Sequence, residues 1–585
     1  MIYPLLFLLA AGLNIALGWH YWPAVLAGSL NDPDAYMRLL RIEQGIKAGH
    51  LVVRVARDGS GAGTYVEWSR LLDALLWLMA APLAPFIGWH KALYAAGVAL
   101  GPLGVGFLGA VLAWAVEPFA FRRYLWTAAV AAALLPGFAS AAVPGVVNYH
   151  ILLLAMIALT AGFVARAWRD DRWAGFLAGV SGGFAIWLTP ETMPFILASF
   201  AALLLRWMQA RNALVILSTA AGCFDVLGLA LLLDPPEGGY FRPEVDRVSI
   251  VFVVMALAML VGAMCLLRLE RLRRWRALAG FAAMAVPLAL WVALFPHVAM
   301  GPYGLMPADW RHAFFGVMIE LQPLRRLEMV VFLLPGLCAV VYALWRAFAP
   351  ERVDVAAMAE PALLTGQARQ KLLWLYIAAW GVVSLVLGAR YLLFAGFPTL
   401  LAAGLLPVAL SQISAKFAAR EALAGAMRIG VLALVLAVPA LVAMAASPKL
   451  ATAGGKTYPS CSLHHIAPLL APAAGEVVLS QVEDTPELLY RTKVETVGSL
   501  YQHGVPGFLR ARAAWRAVPG DTVPFAVEAA KAGWVLFCPS PGRFILVQGL
   551  PKDTLWDALE DGTPPPWLHK AGQNADGWVL YKVTP

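Results

Sequence analysis

What most constrains this chain is the recurrence of apolar runs long enough to cross a lipid bilayer. An α-helix rises about 1.5 Å per residue, so about 20 residues carry it through a hydrocarbon core about 30 Å thick. Such runs lie at roughly 3–20, 91–116, 124–141, 149–168, 173–188, 191–206, 212–233, 249–268, 276–296, 328–348, 371–388, 391–411 and 427–446. In lipid a single segment can satisfy its own N–H and C=O groups only as a helix. The chain therefore reads as a polytopic α-helical membrane protein of about 13 spans. Composition agrees: of 585 residues, 61% are hydrophobic and 14% charged, where a soluble domain carries about 25% charged residues. The run 71–89 is also apolar, but Pro82 and Pro85 interrupt it, and it reads as an interfacial or re-entrant segment.

Charge orients the chain. The net charge is +9, yet from Lys449 to Pro585 twelve basic residues balance twelve acidic ones. The excess lies in short loops between apolar runs, which is not a nucleic-acid footprint. Arg122 and Arg123 follow the second run; Arg166, Arg169 and Arg172 the fourth; Arg206 and Arg211 the sixth. Arg268, Arg271, Arg273, Arg274 and Arg276 follow the eighth, Arg346, Arg352, Arg369 and Lys371 the tenth, and Lys416, Arg420 and Arg428 the twelfth. Every strongly basic loop thus follows an even-numbered run, and the positive-inside rule makes these loops cytoplasmic. The N-terminus is then cytoplasmic. Its first run lacks a basic flank and a small-residue cleavage site, so it reads as a retained helix rather than a signal peptide. The loops 20–90, 142–148, 234–248 and 297–327 fall on the outer side of a transmembrane domain spanning 1–446.

Residues 447–585 form an outer tail. It carries strand-like pieces ("GEVVLS", "GWVLFCP", "FILVQGL", "GWVLYKV") and a helical stretch at 508–517, the pattern of a small α/β domain. No internal repeat or low-complexity tract is visible. Cys223, Cys265 and Cys338 fall in apolar runs, where they read as small core residues. Cys461 and Cys538 both lie in the tail, and outside the cytoplasm they could form a disulfide; the sequence leaves that pairing and two free thiols equally open.

Charges at a membrane edge are costly, and five outer segments carry them. "SLNDPDAYMRLLR", 29–41, packs Asp32, Asp34, Arg38 and Arg41 after the first run. One acid suits a helix cap, with Pro33 in the first turn. Two acids beside two arginines leave something for chemistry. In "PGVVNYHILLLA", 144–155, Asn148 and His150 could ligate a metal or bond a sugar, or be a capping Asn and an interfacial His. Glu191 in "WLTPETMPFIL" is an ionisable residue in an apolar stretch, and Glu320 lies in "VMIEL" of the long loop 301–326. Arg390 in "GARYLLFAGFPTLL" either snorkels or holds a phosphate.

Four of these segments, in this order, resemble motifs of the catalytic subunits of oligosaccharyltransferases, membrane enzymes of the GT-C fold. "NDPDAY" is similar to the family's first-loop Asp motif, with Asp34 the better match and Asp32 second. "GVVNYH" stands where the family has Asp-x-Asp or Asp-x-Glu, so Asn148 and His150 replace its acids. "VMIEL" resembles the Thr/Ser-x-x-Glu motif, with Glu320 as its glutamate. "ARYLLF" places Arg390 on the arginine thought to bind the donor's diphosphate. The family's Trp-Trp-Asp motif, which reads the Ser or Thr of an Asn-x-Ser/Thr acceptor, is missing; the corresponding tail region is "EDTPELLYRTKVETVGSLYQHG", 483–504.

The resemblance implies a GT-C architecture of about 13 transmembrane helices with a small extracytoplasmic α/β domain, in a bacterial inner membrane. It also implies transfer of a sugar or oligosaccharide from a polyprenyl phosphate or diphosphate carrier to a periplasmic protein, lipid or glycan. Asp34, with Asp32, would orient or deprotonate the acceptor, Glu320 would close over it, and Arg390 would offset charge on the leaving phosphate. Asn148, His150, Glu191 and Arg38 form a second tier. Loss of the Asp-x-Asp pair weakens the family's Mg²⁺ or Mn²⁺ site; Asp34, His150 and Glu320 are the ligands left. One displacement at the anomeric carbon implies inversion. A transferase using a polyprenyl-monophosphate sugar on a lipid or polysaccharide stands close beside a protein-modifying one, while a transporter or flippase and a non-catalytic relative are more distant alternatives. Transporters put polar groups and broken helices at the bilayer midplane, whereas these charges cluster at the outer edge.

Overall fold

The computed structural model describes residues 2–272, 274–349, 367–446, 459–539 and 545–584. Arg273 and Arg352 of the basic loops lie outside the described residues, as do the first residues of the tail and part of the strand-like piece at 544–550.

All thirteen apolar runs are helical. Among the described residues ten helices are long and apolar enough to cross a membrane. An eleventh crossing is a pair, Arg122–Leu134 and Pro136–Ala142, bent by 56°. The bend falls where Pro136 forces Leu135 out of the helical region, to φ −69 and ψ 126. The other two runs form shorter helices, Ile2–Leu17 of 16 residues and Arg172–Leu188 of 17. Small residues bring the helices together: a Cβ on Gly179 would lie 1.9 Å from the Thr219 carbonyl oxygen, so Arg172–Leu188 and Ala213–Leu233 touch backbone to backbone. Cys223 is buried, but Cys265 faces outward and Cys338 is half-buried, so only one of the three is a core residue.

Among the described residues, the segment between Ile2–Leu17 and Trp89–Val116 contains no spanning helix, and its helix Arg70–Ala80 packs Leu72, Leu76 and Ala80 into the core of the bundle. The segment also holds the helix Pro33–Ala48 and a two-stranded hairpin of Arg54–Val55 and Thr64–Tyr65. The run 71–89 is not one span: a turn at 81–83 separates Arg70–Ala80 from a short helix Ala84–Ile87, where the two prolines fall.

The tail is an α/β layer. Numbering the hairpin strands β1 and β2, its strands are β3 (Val477–Leu479), β4 (Glu495–Thr496), β5 (Trp534–Phe537), β6 (Leu568–Gln573) and β7 (Val579–Val583). Their order is β4-β3-β5-β7-β6, parallel across β4-β3-β5 and antiparallel across β5-β7-β6. Three of the four strand-like pieces are strands and the predicted helix is Val505–Arg516, but Ile545–Val547 is a 3₁₀ turn. Strand β6, "LHKAGQ", escapes a hydropathy reading because it is an exposed, polar edge with a register shift between Lys570 and Gly572. Cys461 and Cys538 are joined in a disulfide.

Two residues of the β1–β2 hairpin clamp the tail. Arg57 donates to the carbonyls of Thr492 at 2.7 Å and Val494 at 3.0 Å, and to that of Leu489. Asp58, fully buried, accepts from the Gly59 N–H at 2.8 Å, Thr496 Oγ1 at 3.0 Å and Ser499 Oγ at 2.5 Å. Asp58→Ala would strand those donors in the interface. The expected cost is about 3 kcal/mol of tail stability, read as a lower thermal midpoint of the detergent-solubilised protein and faster proteolysis after residue 459.

Candidate active site

The acids of "NDPDAY" have divided roles. Asp32 is extended (φ −145, ψ 123) and its carboxylate accepts from the Asp34 N–H at 3.0 Å, capping Pro33–Ala48 with Pro33 in the first turn. Asp34 is left facing a cavity, where its Oδ1 accepts from the Tyr501 hydroxyl of the tail at 3.0 Å. Arg38 and Arg41, one and two turns on, do not pair with these acids. Both bond Asp73 of the helix Arg70–Ala80, at 3.0 and 2.6 Å, and Arg38 stacks over Trp68 at 4.3 Å. All three charged groups are buried.

The cavity, of about 360 Å³, lies where helix ends from the bundle meet the tail, and Asp32, Asp34, Arg38, Asn148, His150, Glu191 and Glu320 all line it. Asn148 Oδ1 accepts from the His150 N–H at 3.2 Å, starting the helix His150–Ala167. The His150 Nε2 is buried without a hydrogen-bond partner among the described residues. Glu191 sits in a 3₁₀ turn that Pro190 opens between two spans, with the Tyr149 hydroxyl 3.5 Å from its Oε2. Glu320 is carried on the 3₁₀ turn Ile319–Leu321.

Burial raises the carboxyls of Asp32 and Asp34 above the ordinary range. Asp34 adds to the shift of Asp32 and Glu320 to that of both, while Tyr501 and Arg38 pull Asp34 partly back. Glu320 is raised by burial alone. Burial, the Asp34 charge and the hydrogen bond hold the Tyr501 phenol far above its usual value, so it remains a donor.

Sequence reading did not single out several groups here. Glu67, two residues after β2, lines the cavity; its Oε2 has no hydrogen-bond partner among the described residues, and burial lifts its carboxyl to about 7. Asp246 lines it too and pairs with His503 of the tail at 2.6 Å. Asp73 was hidden in the apolar run 71–89. A lone acid there, opposite two arginines spaced one helical turn apart, was the available signal.

Arg390 does not line the cavity. It is exposed at the end of the helix Gln367–Arg390, its guanidinium 5.5 Å from its neighbour Tyr391's ring, and it has no ion-pair partner among the described residues. Its backbone nonetheless adjoins the Glu320 segment: Leu324 N–H donates to the Ala389 carbonyl at 3.2 Å and Leu392 N–H to that of Gln322 at 3.1 Å. The exposed Arg325 and Arg326 follow directly.

Among the described residues no three His, Cys, Asp or Glu side chains are gathered closely enough to hold a metal ion. Asp34, His150 and Glu320 share a cavity wall without converging, and Asp34 is engaged by Tyr501. As placed, these three do not fit the ligand set that a Mg²⁺ or Mn²⁺ ion needs, and no step below passes through one.

No protein-family model matches the chain, and no curated protein matches it by sequence. Solved structures do resemble it. The oligosaccharyltransferase AglB of the archaeon Archaeoglobus fulgidus, in complex with an inhibitory peptide and a dolichol-phosphate, superposes with a TM-score of 0.65 at 14% identity, over 92% of this chain and 69% of that one. The same enzyme tethered to an acceptor peptide containing the NVT sequon gives a TM-score of 0.64 at 15% identity, over 100% and 74%. At such identity the likeness is one of fold, and the fold is GT-C.

Proposed function

We propose that this chain is a membrane glycosyltransferase that moves a sugar or oligosaccharide from a polyprenyl-linked phosphate or diphosphate to an acceptor held in the cavity, with inversion. The observation that carries the proposal is Asp34: a membrane-edge carboxyl raised by burial, held by Tyr501 and lining one cavity with Glu320. A group of this kind can take a proton from an acceptor hydroxyl or amide as it attacks the anomeric carbon. Asp32 keeps Asp34 in place through the cap. Glu320, on a short turn, orients the acceptor from within the same cavity, and His150 and Glu191 complete the polar lining.

Arg390, without a carboxylate partner among the described residues and with Arg325 and Arg326 beside it, offsets charge on the departing phosphate at the bilayer edge. The dolichol-phosphate and acceptor peptide bound to the archaeal enzyme support the two-substrate reading by analogy of fold. The tail region at the cavity, Leu500–Gln502 with Val482 and Glu483, carries no Trp-Trp-Asp motif, which favours an acceptor other than a sequon asparagine. The basic loops would be cytoplasmic and the tail periplasmic in a bacterial inner membrane, where the Cys461–Cys538 disulfide is stable.

Mass spectrometry of lipid copurifying with the protein is expected to find a polyprenyl-linked sugar. Turnover of that donor should fall about 10²–10⁴-fold in Asp34→Asn while the thermal midpoint stays near wild type; near-normal turnover would remove Asp34 from the reaction. The reaction needs Asp34 ionised. Because its folded value is raised, transfer should be lost as pH falls through a range above that of a free aspartate, about 3.9. Glu320→Gln removes a neighbouring charge and should move that loss to lower pH. A pH profile identical to wild type would separate the two carboxyls.

A further inference from the structure

Asp225 is a carboxylate inside a membrane span that the cavity does not use. It lies in the helix Ala213–Leu233, twelve residues from its start and eight from its end, or about 12 Å below the cavity-side end. One side of this helix is packed: Thr219 and Gly222 meet the helix Arg172–Leu188 at backbone contact. The other side is open. Leu214, Ala221, Asp225, Gly228, Leu229 and Leu232 lie along it, within one helical face. Leu229 is 46% exposed and Leu232 65%, and a Cβ on Gly228 would meet nothing within 4 Å. Asp225 is itself exposed on this side, with no hydrogen-bond or ion-pair partner among the described residues.

A carboxylate at that depth is avoided unless something pairs with it. Ala221 and Gly228, flanking it one turn either way, leave room for a second helix to approach closely. A second copy of this chain related by a two-fold axis would set Asp225 against Asp225, two acceptors that can pair only after one takes up a proton. A cationic side chain pairs with a carboxylate directly, through charge and hydrogen bond together.

We propose that this face docks a transmembrane helix of another protein, one that carries a Lys, Arg or His at the matching depth to pair with Asp225. This assignment is independent of the reaction proposed above.

The test uses the full-length protein in lipid vesicles, labelled as an energy-transfer donor, with labelled Leu/Ala helices of about 24 residues that carry a central Lys or a central Leu. The Lys helix is expected to associate at least about tenfold more tightly than the Leu helix. The difference should vanish in Asp225→Asn, persist in Asp225→Glu, and shrink in Gly228→Leu, which fills the open face. Equal association of the two helices, or an unchanged preference in Asp225→Asn, would overturn the proposal. So would energy transfer between copies of the protein itself that disappears in Asp225→Asn, since that would give the face to a second copy.

Discussion

Lipid offers the backbone no hydrogen-bond partner, and the rest of this structure follows from that. Within the bilayer the chain is helix, so every irregular segment is driven to a helix end. Pro33 and Pro190 each open a turn that carries a carboxyl, Asp34 and Glu191, to the cavity. Asp34, Asn148, Glu191 and Glu320 come from four separate stretches of sequence. They share a cavity because each sits at a turn on the same side of the bundle. The tail closes that side by bonding to the hairpin between β1 and β2, a part of the first outer segment rather than of the membrane helices.

Charge is distributed unevenly around the cavity. Its arginines are committed elsewhere: Arg38 to Asp73, and Arg247 to Asp234. Its carboxylates, Asp32, Asp34, Glu67, Glu191, Asp246 and Glu320, outnumber the remaining cationic groups. Among the described lining residues an anionic phosphate would find no guanidinium that is not already paired with a carboxylate. In the proposed reaction the leaving group therefore belongs beyond the Glu320 turn, where Arg325, Arg326 and Arg390 are exposed, and the acceptor belongs among the acids. This division gives a physical meaning to Arg390 lying outside the cavity while touching, through backbone hydrogen bonds, the segment that carries Glu320.

The helices were legible because a twenty-residue apolar run has one outcome in lipid, and Asp34 and Glu320 because acids at a span's edge stand out against an apolar background. Which of Asp32 and Asp34 would cap was also foreshadowed by Pro33, since the residue before a first-turn proline is the cap. Arg38 does line the cavity, but its ion-pair partner Asp73 lies 35 residues away inside an apolar run, where sequence spacing gives no sign of the pairing. Glu67 was not legible at all. It is one acid in a polar loop, and only the fold shows its Oε2 buried and unpartnered. Asp225 is legible as the lone charge in "ALVILSTAAGCFDVLGLALLL", but only the fold shows it on the open side of its helix.

The tail also bears on the chemistry of Asp34 itself. Tyr501 is its hydrogen-bond donor, and that bond opposes the upward push of burial and of Glu320. Asp58 and Arg57 hold the 489–499 stretch against the hairpin, and the Trp68 ring, the Pro302 carbonyl and Asp246 hold residues 501–503 beside it. Loosening these contacts together would withdraw the donor, while the helix cap at Asp32 would leave the Asp34 backbone where it is. Asp34 would then hold its proton to higher pH and be a poorer base at neutrality. The first outer segment thus supplies both the carboxylate and the anchor for the hydroxyl that tunes it, and docking of the tail becomes a condition for the acid's charge as well as a lid over it.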